Sequence, residues 1–194
     1  MSPPRLILAS TSPRRRHLLE QLGLSFEVQS AAVNESMRSA ETADRYVKRL
    51  AALKASAVAS RAPDAVTLGA DTAVVVGGEA LGKPESTDDA RRMLRLLSGR
   101  SHLVLTAVAL EGTHRGGCLV ETRVDFRGLS AGEIDWYVGT GEPMDKAGGY
   151  GAQGIGSFLI RAVHGSYSNV VGLPLAETVS LLAEAGVPLP WSSL

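Results

Sequence analysis

The stretch Val66-Thr-Leu-Gly-Ala-Asp-Thr-Ala-Val-Val-Val76 is rich in apolar and β-branched residues, and this pattern predicts a buried β-strand. Gly77-Gly78 follows directly, a pair that favours a hairpin turn. Asp71 interrupts the apolar run, and a carboxylate there needs a metal, a cation or several hydrogen bonds to stay charged. Asp71 is therefore a candidate metal ligand or general base. The alternative is a turn aspartate at a strand end.

Strand and helix patterns alternate on both sides of this strand. Before it we predict a strand at Arg5–Ala9, a helix capped by Ser12 that begins at Pro13 and ends at Gly23, a strand at Phe26–Gln29 and a helix from about Ala43 to Ser60. After it we predict a helix from about Asp88 to Leu97, strands at Leu103–Leu110 and Leu119–Phe126, a helix from the capping box Ser130–Glu133 to Val138, a glycine-rich loop, a strand at Phe158–Val163 and a helix from about Leu175 to Ala185. Interleaved elements with hairpins predict the α/β class with a mixed sheet.

Composition narrows the class of protein. The chain has 194 residues, and 44% of them are hydrophobic, which is typical of a globular protein. This length predicts a single domain, 1–194, or two closely associated lobes. Its 20 Lys+Arg balance 20 Asp+Glu, so bulk charge indicates neither a nucleic acid nor an anionic membrane as partner.

The cysteine content and the length of the apolar stretches indicate the cellular compartment of the protein. Cys118 is the only cysteine, which excludes an internal disulfide and a cysteine-based zinc site. The apolar stretch Leu103–Leu110 is too short to span a bilayer, and Met-Ser-Pro-Pro-Arg at the start lacks the apolar segment of a secretory signal. We therefore expect a cytoplasmic protein that does not bind membranes.

The segment Ser10-Thr-Ser-Pro-Arg-Arg-Arg-His17 joins a predicted strand to a helix start, where free backbone N–H groups and the helix dipole favour an anion. Three arginines in the first turn oppose that dipole at a cost of about 0.3–1 kcal/mol each. A bound polyphosphate would reverse this effect. With Ser10 and Ser12 alongside, the segment favours a phosphate site, and a solvated basic face is the alternative.

Lys54 lies four residues after Leu50, in the middle of the apolar stripe of its predicted helix. This stripe comprises Tyr46, Val47, Leu50, Ala57 and Val58. A lysine there must extend to water or meet a carboxylate or phosphate. Extension to water is the common outcome, and Glu35 in the preceding polar loop is a candidate partner.

The segment Lys146–Gly156 is rich in glycine, which permits close approach of a ligand to the backbone, although flexibility is the simpler explanation. Within it, the Gln153 amide can pair with the N3–H and O4 edge of uracil or thymine. Because an amide can flip, rejection of cytosine requires neighbours that fix its orientation.

Two familiar patterns are present but lack their structural context. Gly77–Lys83 fits a P-loop, yet Pro84 replaces the magnesium-binding Ser or Thr. Gly149–Gly154 fits a dinucleotide motif, yet no strand precedes it.

The four histidines show no metal-ligand spacing, and we interpret them as structural or exposed. They are His17, His102, His114 and His164.

Taken together, these segments resemble the Maf family of nucleoside triphosphate pyrophosphatases, in the family's order from about Leu6 to Gly186. The matching pieces are Ser10–Arg15, Glu35, Lys54-Ala55, Gly69–Thr72, Gly82–Pro84, Leu97–Gly99, Glu142-Pro143, Lys146–Gly154 and Gly165–Pro174. The resemblance implies an elongated, twisted mixed sheet flanked by helices, with two lobes around a central cleft, similar to the inosine triphosphatase architecture. It also implies hydrolysis of the α–β phosphoanhydride to a nucleoside monophosphate and pyrophosphate.

The resemblance also implies roles for individual residues. Asp71 looks like the proton acceptor and, with Glu35, a ligand of Mg²⁺ or Mn²⁺; Lys54 and Lys83 complete the catalytic set. Ser10, Ser12, Arg14, Arg15, Thr72, Lys146 and Gln153 look like substrate contacts. Asn34 stands where an acidic residue often precedes the matching glutamate, so the number of metal-binding carboxylates stays open.

The set Arg14, Thr72 and Gln153 resembles the branch that prefers dTTP and UTP. Three alternatives remain: a 7-methyl-GTP or broad-specificity pyrophosphatase, a phosphatase that removes the γ-phosphate, and a non-catalytic nucleotide- or nucleic-acid-binding regulator of septum formation. The expected partner is a nucleoside triphosphate, and a homodimer is among the assemblies left open.

Overall fold

The computed structural model describes residues 3–191, so both ends of the predicted domain 1–194 lie outside the described residues. Its strands are β1 (Arg5–Leu8), β2 (Glu27–Val28), β3 (Ala65–Val76), β4 (Glu79–Leu81), β5 (Ser101–Gly112), β6 (Gly116–Phe126) and β7 (Ile160–His164). Its helices are α1 (Pro13–Gln21), α2 (Ala43–Ala59), α3 (Thr87–Leu97), α4 (Ala131–Gly139), α5 (Tyr167–Val171) and α6 (Leu175–Glu184). The strands form one sheet in the order β2-β1-β3-β5-β6-β7, with β4 paired to β3.

The sheet is mixed, as the interleaved elements predict. β1 runs parallel to β2 and to β3, with Leu8 opposite Leu68, whereas β4 is antiparallel to β3 and β7 is antiparallel to β6. The chain divides into two compact units. Unit 1 comprises Met1–Asp71, Thr106–Val120 and Gly172–Leu194, and unit 2 comprises Thr72–Leu105 and Glu121–Val171.

Unit 1 is built on the parallel strands β1 and β3. Helix α2 buries Val47, Leu50 and Val58 of the predicted apolar stripe, whereas Tyr46 and Ala57 are half-buried. Val58 packs in a core cluster with Ile7 of β1 and Ala65 of β3. Burial of these side chains stabilises the unit through the hydrophobic effect. Lys54 lies on the same buried face of α2, so this face carries a cation into the protein interior.

Unit 2 has its own core, around one face of α3 and the inner side of α4. Helix α3 buries Ala90, Met93, Leu94 and Leu97, as its periodicity predicts. Helix α4 begins with the predicted capping box, in which Ser130 and Glu133 satisfy each other's backbone N–H groups. Tyr137 of α4 is fully buried in this core.

Three local predictions need correction. Strand β7 begins at Ile160 rather than Phe158, because Ile155–Leu159 forms a 3₁₀ turn. Two further 3₁₀ turns, at Glu142–Asp145 and Ala147–Gly149, lie in the segment predicted as a glycine-rich loop. The short helix α5 lies in a region for which the sequence predicts no element. Ser12 occupies the N-cap position of α1, but its hydroxyl makes no capping hydrogen bond. Helical turns of three to five residues carry too little periodicity for prediction.

Within residues 3–191, no helix combines the length and the apolar character that a transmembrane helix requires.

His102 is a buried histidine of unit 2, consistent with its interpretation as structural. Its Nε2 lies 2.7 Å from the Tyr150 hydroxyl, and its ring packs edge-on against Phe126 and Tyr150. Burial lowers the pKa of His102 to about 4, because desolvation disfavours the imidazolium.

We expect His102 to make the protein less stable on acidification. An unfolded histidine has a pKa near 6.5 and binds a proton before the folded one does, so the contribution is complete above pH 6.5 and is lost as pH falls toward 4. The loss approaches about 3 kcal/mol for a pKa of about 4 in the folded state. Urea unfolding between pH 7 and pH 4 measures it.

In this experiment His102→Gln should flatten the acid side of the stability profile, and His17→Gln, which removes an exposed histidine, should not. If His102→Gln and the parent lose stability in parallel, the imidazole of His102 is not the group responsible.

Candidate active site

Asp71 lies near the middle of β3, and only 7% of its surface is exposed. Helix α2 packs against the preceding part of this strand at Gly69. A Cβ atom on Gly69 would stand 2.3 Å from the Ala51 carbonyl oxygen and 2.7 Å from the Ala55 nitrogen. A glycine is therefore required for α2 to approach β3 this closely, and the approach brings Lys54 to Asp71.

Lys54 joins the two acidic residues that the sequence singled out. Its Nζ donates to Asp71 Oδ1 at 2.7 Å and lies 2.8 Å from Glu35 Oε1. The side chains of Lys54 and Asp71 are each 10% exposed, whereas that of Glu35 is 49% exposed. The predicted partner Glu35 is present, and Asp71 is a second one. A buried ammonium between two carboxylates avoids the cost of an uncompensated buried charge.

The loop that carries Glu35 is tied to helix α2. The Tyr46 hydroxyl donates to the Glu35 carbonyl oxygen at 3.0 Å, and Arg49 Nη2 donates to the Ser36 carbonyl oxygen at 3.1 Å. Asn34 Oδ1 accepts from the Ser36 nitrogen at 2.8 Å, an Asx turn that uses this side chain locally. These contacts orient Glu35 toward Lys54.

The electrostatics of this loop follow from its contacts. Burial, reinforced by the negative charges of Asp71 and Glu35, raises the pKa of Tyr46 to about 12. Hydrogen bonds from Arg49 lower the pKa of Glu41 to about 2, and Glu41 in turn raises the pKa of Arg49. Sequence analysis missed Arg49 and assigned Tyr46 only to the apolar stripe. A polar loop before a helix gives no periodic signal for such contacts.

The segment after β1 carries the residues that the sequence predicts to bind phosphate. Ser10 is buried, and its Oγ accepts from the Ser12 nitrogen at 3.2 Å. Arg15 is also buried; its Nε donates to the Gly172 carbonyl oxygen at 2.8 Å, and its Nη1 lies 3.4 Å from Ser10 Oγ. Burial lowers the pKa of the Arg15 guanidinium, an effect partly offset by the charge of Asp71.

The three arginines of α1 therefore differ in environment. Arg15 is buried and Arg14 is half-buried, whereas Arg16 is exposed and pairs with Glu20 at 2.7 Å. The alternative of a solvated basic face describes Arg16 alone. Unit 1 supplies hydroxyl, cationic and carboxylate groups from four segments of the chain, through Ser10, Arg15, Glu35, Lys54 and Asp71.

Four of the predicted site residues belong to unit 2, whereas Ser12 and Arg14 lie in unit 1. Thr72 follows Asp71 in β3 and is half-buried, and Lys83 is exposed just after β4. Gln153 is half-buried in the glycine-rich segment. Lys146 Nζ donates to Asp145 Oδ1 and to the Glu142 carbonyl oxygen, each at 2.6 Å. Lys146 is therefore anchored within its own segment.

A divalent cation fits the donor set of unit 1. Glu35 and Asp71 present carboxylate oxygens at one ammonium group, and Mg²⁺ is commonly bound through one or two carboxylates together with substrate phosphates and water. Among residues 3–191, no three His, Cys, Asp or Glu side chains cluster as they would in an all-protein metal cage. The arrangement therefore suits a cation that arrives with a phosphate ligand.

Comparison with known proteins identifies relatives over almost the whole chain. The family model described as Maf-like protein matches residues 5–185. The chain is 56% identical over 186 residues to a dTTP/UTP pyrophosphatase of Myxococcus xanthus, covering 96% of this chain and 95% of that protein. It is 53% identical to a dTTP/UTP pyrophosphatase of Hahella chejuensis, covering 97% and 95%.

Solved structures also align with most of the chain. A nucleoside-triphosphatase / dITP/XTP pyrophosphatase of Mycobacterium abscessus aligns with a TM-score of 0.43 and 14% identity over 94% of each chain. The Ham1 protein of Staphylococcus aureus aligns with a TM-score of 0.45 and 16% identity over 80% of this chain and 79% of that one.

Proposed function

The chain belongs to the Maf family, and on this premise we propose that it is a cytoplasmic nucleoside triphosphate pyrophosphatase that acts on dTTP and UTP. The names of the curated relatives support this substrate class. The observation that carries the proposal is the buried Lys54 between Glu35 and Asp71. Cations and carboxylates held together in this way suit chemistry on a phosphoanhydride.

Asp71 is the residue we assign as general base. Its Oδ1 accepts from Lys54, which fixes the orientation of the carboxylate, and we assign Oδ2 as the atom that takes a proton from the attacking water. The water oxygen forms a new bond to one phosphorus of the α–β anhydride, and the bond from that phosphorus to the bridging oxygen breaks. The products are a nucleoside monophosphate and pyrophosphate.

Binding of the triphosphate is assigned to the basic and hydroxyl groups. Ser10, Ser12, Arg14 and Arg15 are the proposed contacts around the start of α1, with Lys54, Lys83 and Lys146 as further cationic contacts. Positioning and neutralisation of developing negative charge supply most of the catalysis in phosphoryl chemistry, so no covalent nucleophile is required.

Glu35 and Asp71 are the residues we propose to hold Mg²⁺ or Mn²⁺. Such a cation, when bound, neutralises phosphate charge and polarises phosphate oxygens. Lys54 keeps the two carboxylates together, and the turn formed by Asn34 and Ser36 holds the Glu35 loop.

Specificity for pyrimidines is assigned to Arg14, Thr72 and Gln153. Among these, Gln153 has the chemistry to distinguish bases, because its amide both donates and accepts hydrogen bonds. The proposed phosphate groups at α1 lie in unit 1 and Gln153 in unit 2, so the two aspects of the proposal can be tested with separate variants.

A nucleotide panel tests the proposed reaction. With Mg²⁺ or Mn²⁺, we expect dTTP and UTP to yield the nucleoside monophosphate and pyrophosphate, and both to be preferred over CTP, GTP and 7-methyl-GTP. Chromatography of the nucleotides and separate assays of pyrophosphate and orthophosphate identify the products.

The homodimer is a separate hypothesis. Sedimentation of the same preparation measures the oligomeric state and tests it.

Each alternative gives a different pattern in this panel. A nucleoside diphosphate and orthophosphate as first products would refute cleavage at the α–β bond. Binding without turnover would indicate the non-catalytic regulator. Preference for a purine nucleotide would contradict only the specificity, and equal activity without metal would contradict the cofactor.

A further inference from the structure

The segment Gly151–Gly156, which carries Gln153, is rich in glycine and yet closely held. Gly154 has φ +86°, a backbone conformation that residues other than glycine rarely adopt. A glycine-rich backbone loses much conformational entropy when it is ordered. Contacts strong enough to offset this loss must therefore exist if Gln153 is to keep one position.

Glu142 supplies such contacts on the C-terminal side of Gln153. Its Oε2 accepts from the Ile155 nitrogen at 3.0 Å, and its Oε1 accepts from the Gly156 nitrogen at 2.9 Å. Oε1 also accepts from the Tyr137 hydroxyl at 2.9 Å. Hydrogen bonds to an ionised carboxylate are stronger than those between neutral groups.

Tyr137 extends this contact to the N-terminal side of Gln153. Its hydroxyl oxygen accepts from the Gly151 nitrogen at 3.2 Å, while its ring is fully buried in the core of unit 2. The pair Glu142–Tyr137 therefore fixes the backbone both before and after Gln153.

Close packing shows how tightly the pair fits this segment. A Cβ atom on Gly156 would stand 2.4 Å from the Tyr137 hydroxyl oxygen, and one on Gly154 would stand 3.0 Å from Glu142 Oε2. The backbone of Glu142 is itself anchored, since its carbonyl oxygen accepts from Lys146 and its nitrogen donates to Thr140 Oγ1.

We propose that Glu142 and Tyr137 are positioning residues for base specificity, which hold the backbone around Gln153 so that its side chain reaches the base from one fixed place. This inference rests on the proposed function, in which Gln153 recognises uracil and thymine. A free amide presents donor and acceptor in either order and cannot reject cytosine. Fixing the surrounding backbone leaves the amide free to rotate, but it keeps the amide at one distance and angle from the base, where its favourable rotamer can pair with N3–H and O4.

The test compares selectivity in two variants of the full chain. Glu142→Gln keeps the size of the side chain but replaces one acceptor oxygen with an NH₂ donor, and Tyr137→Phe removes only the hydroxyl. We expect the ratio of kcat/KM for dTTP to that for GTP to fall by roughly tenfold in each, consistent with the loss of one charge-assisted hydrogen bond. Pyrophosphate release should persist.

A second measurement and a control separate positioning from general destabilisation. Hydrogen exchange of the Gly151, Ile155 and Gly156 amides should accelerate in both variants. Glu133→Gln is the matched control, because that carboxylate also accepts from a backbone nitrogen, of Ser130, and from Arg127 within unit 2. It should lower the melting temperature without changing the selectivity ratio. If Glu142→Gln does not fold, Tyr137→Phe still decides the question.

The outcomes distinguish this inference from the function on which it rests. Selectivity that is lost in Gln153→Glu but kept in both positioning variants overturns the inference alone. Selectivity kept in all three variants overturns base recognition by Gln153 and the inference with it. Equal loss of selectivity in the Glu133→Gln control shows destabilisation rather than positioning and also overturns the inference.

Discussion

Asp71→Asn should lower turnover of dTTP by roughly 10²–10⁴-fold, the usual contribution of a positioned acid–base group. Asparagine keeps the shape of the side chain, and its carbonyl oxygen can still accept from Lys54. The amide cannot take a proton from water near neutral pH, so the base is lost while the contacts around it remain. Lys54 keeps its contact to Glu35, so the buried ammonium is not left without a carboxylate.

Single-turnover kinetics with a saturating metal concentration measure this change, and calorimetric titration with dTMP checks that the variant still binds nucleotide. Asp64→Asn is a suitable control, because Asp64 is an exposed carboxylate next to the start of β3 that pairs with Arg5. It should leave turnover unchanged. Near-normal turnover in a correctly folded Asp71→Asn protein would exclude Asp71 as the general base.

Gln153→Glu should lower activity on dTTP and UTP more than on guanine nucleotides, while the chemistry at Asp71 stays intact. The amide matches the N3–H and O4 pattern of uracil and thymine, whereas a carboxylate only accepts and would face O4 with a second acceptor. We expect a loss of discrimination of roughly 10²-fold, equivalent to a few kcal/mol. A guanine edge, whose N1–H and N2–H₂ are adjacent donors, should fit the carboxylate better.

The measurement is kcat/KM for dTTP, UTP and GTP in the variant and the parent. Gln21→Glu makes the same chemical change at the exposed end of α1 and should alter none of the three values. Equal loss on every nucleotide, or no loss, would mean that Gln153 has only a structural role in its segment.

Local patterns predicted most of the elements on which these experiments depend. The stripe of α2, the capping box of α4 and the hairpin between β3 and β4 all appear as expected. Each results from interactions among residues at most a few positions apart, such as side-chain periodicity, a reciprocal cap or the φ angles of Gly77-Gly78. The glycine-rich segment was different: its short 3₁₀ turns are held by contacts from elsewhere in the chain.

The sequence by itself determined the α/β class, the buried face of α2 and the unusual place of Lys54 and Asp71 in apolar patterns. Tertiary structure decided that these two side chains, 17 residues apart, share a hydrogen bond, because the absence of a side chain at Gly69 lets α2 approach β3. It also decided that Glu142 and Tyr137 hold the backbone around Gln153. The physical reason is that periodicity and capping depend on neighbours along the chain, whereas these contacts form only when packing brings separate segments within hydrogen-bonding distance.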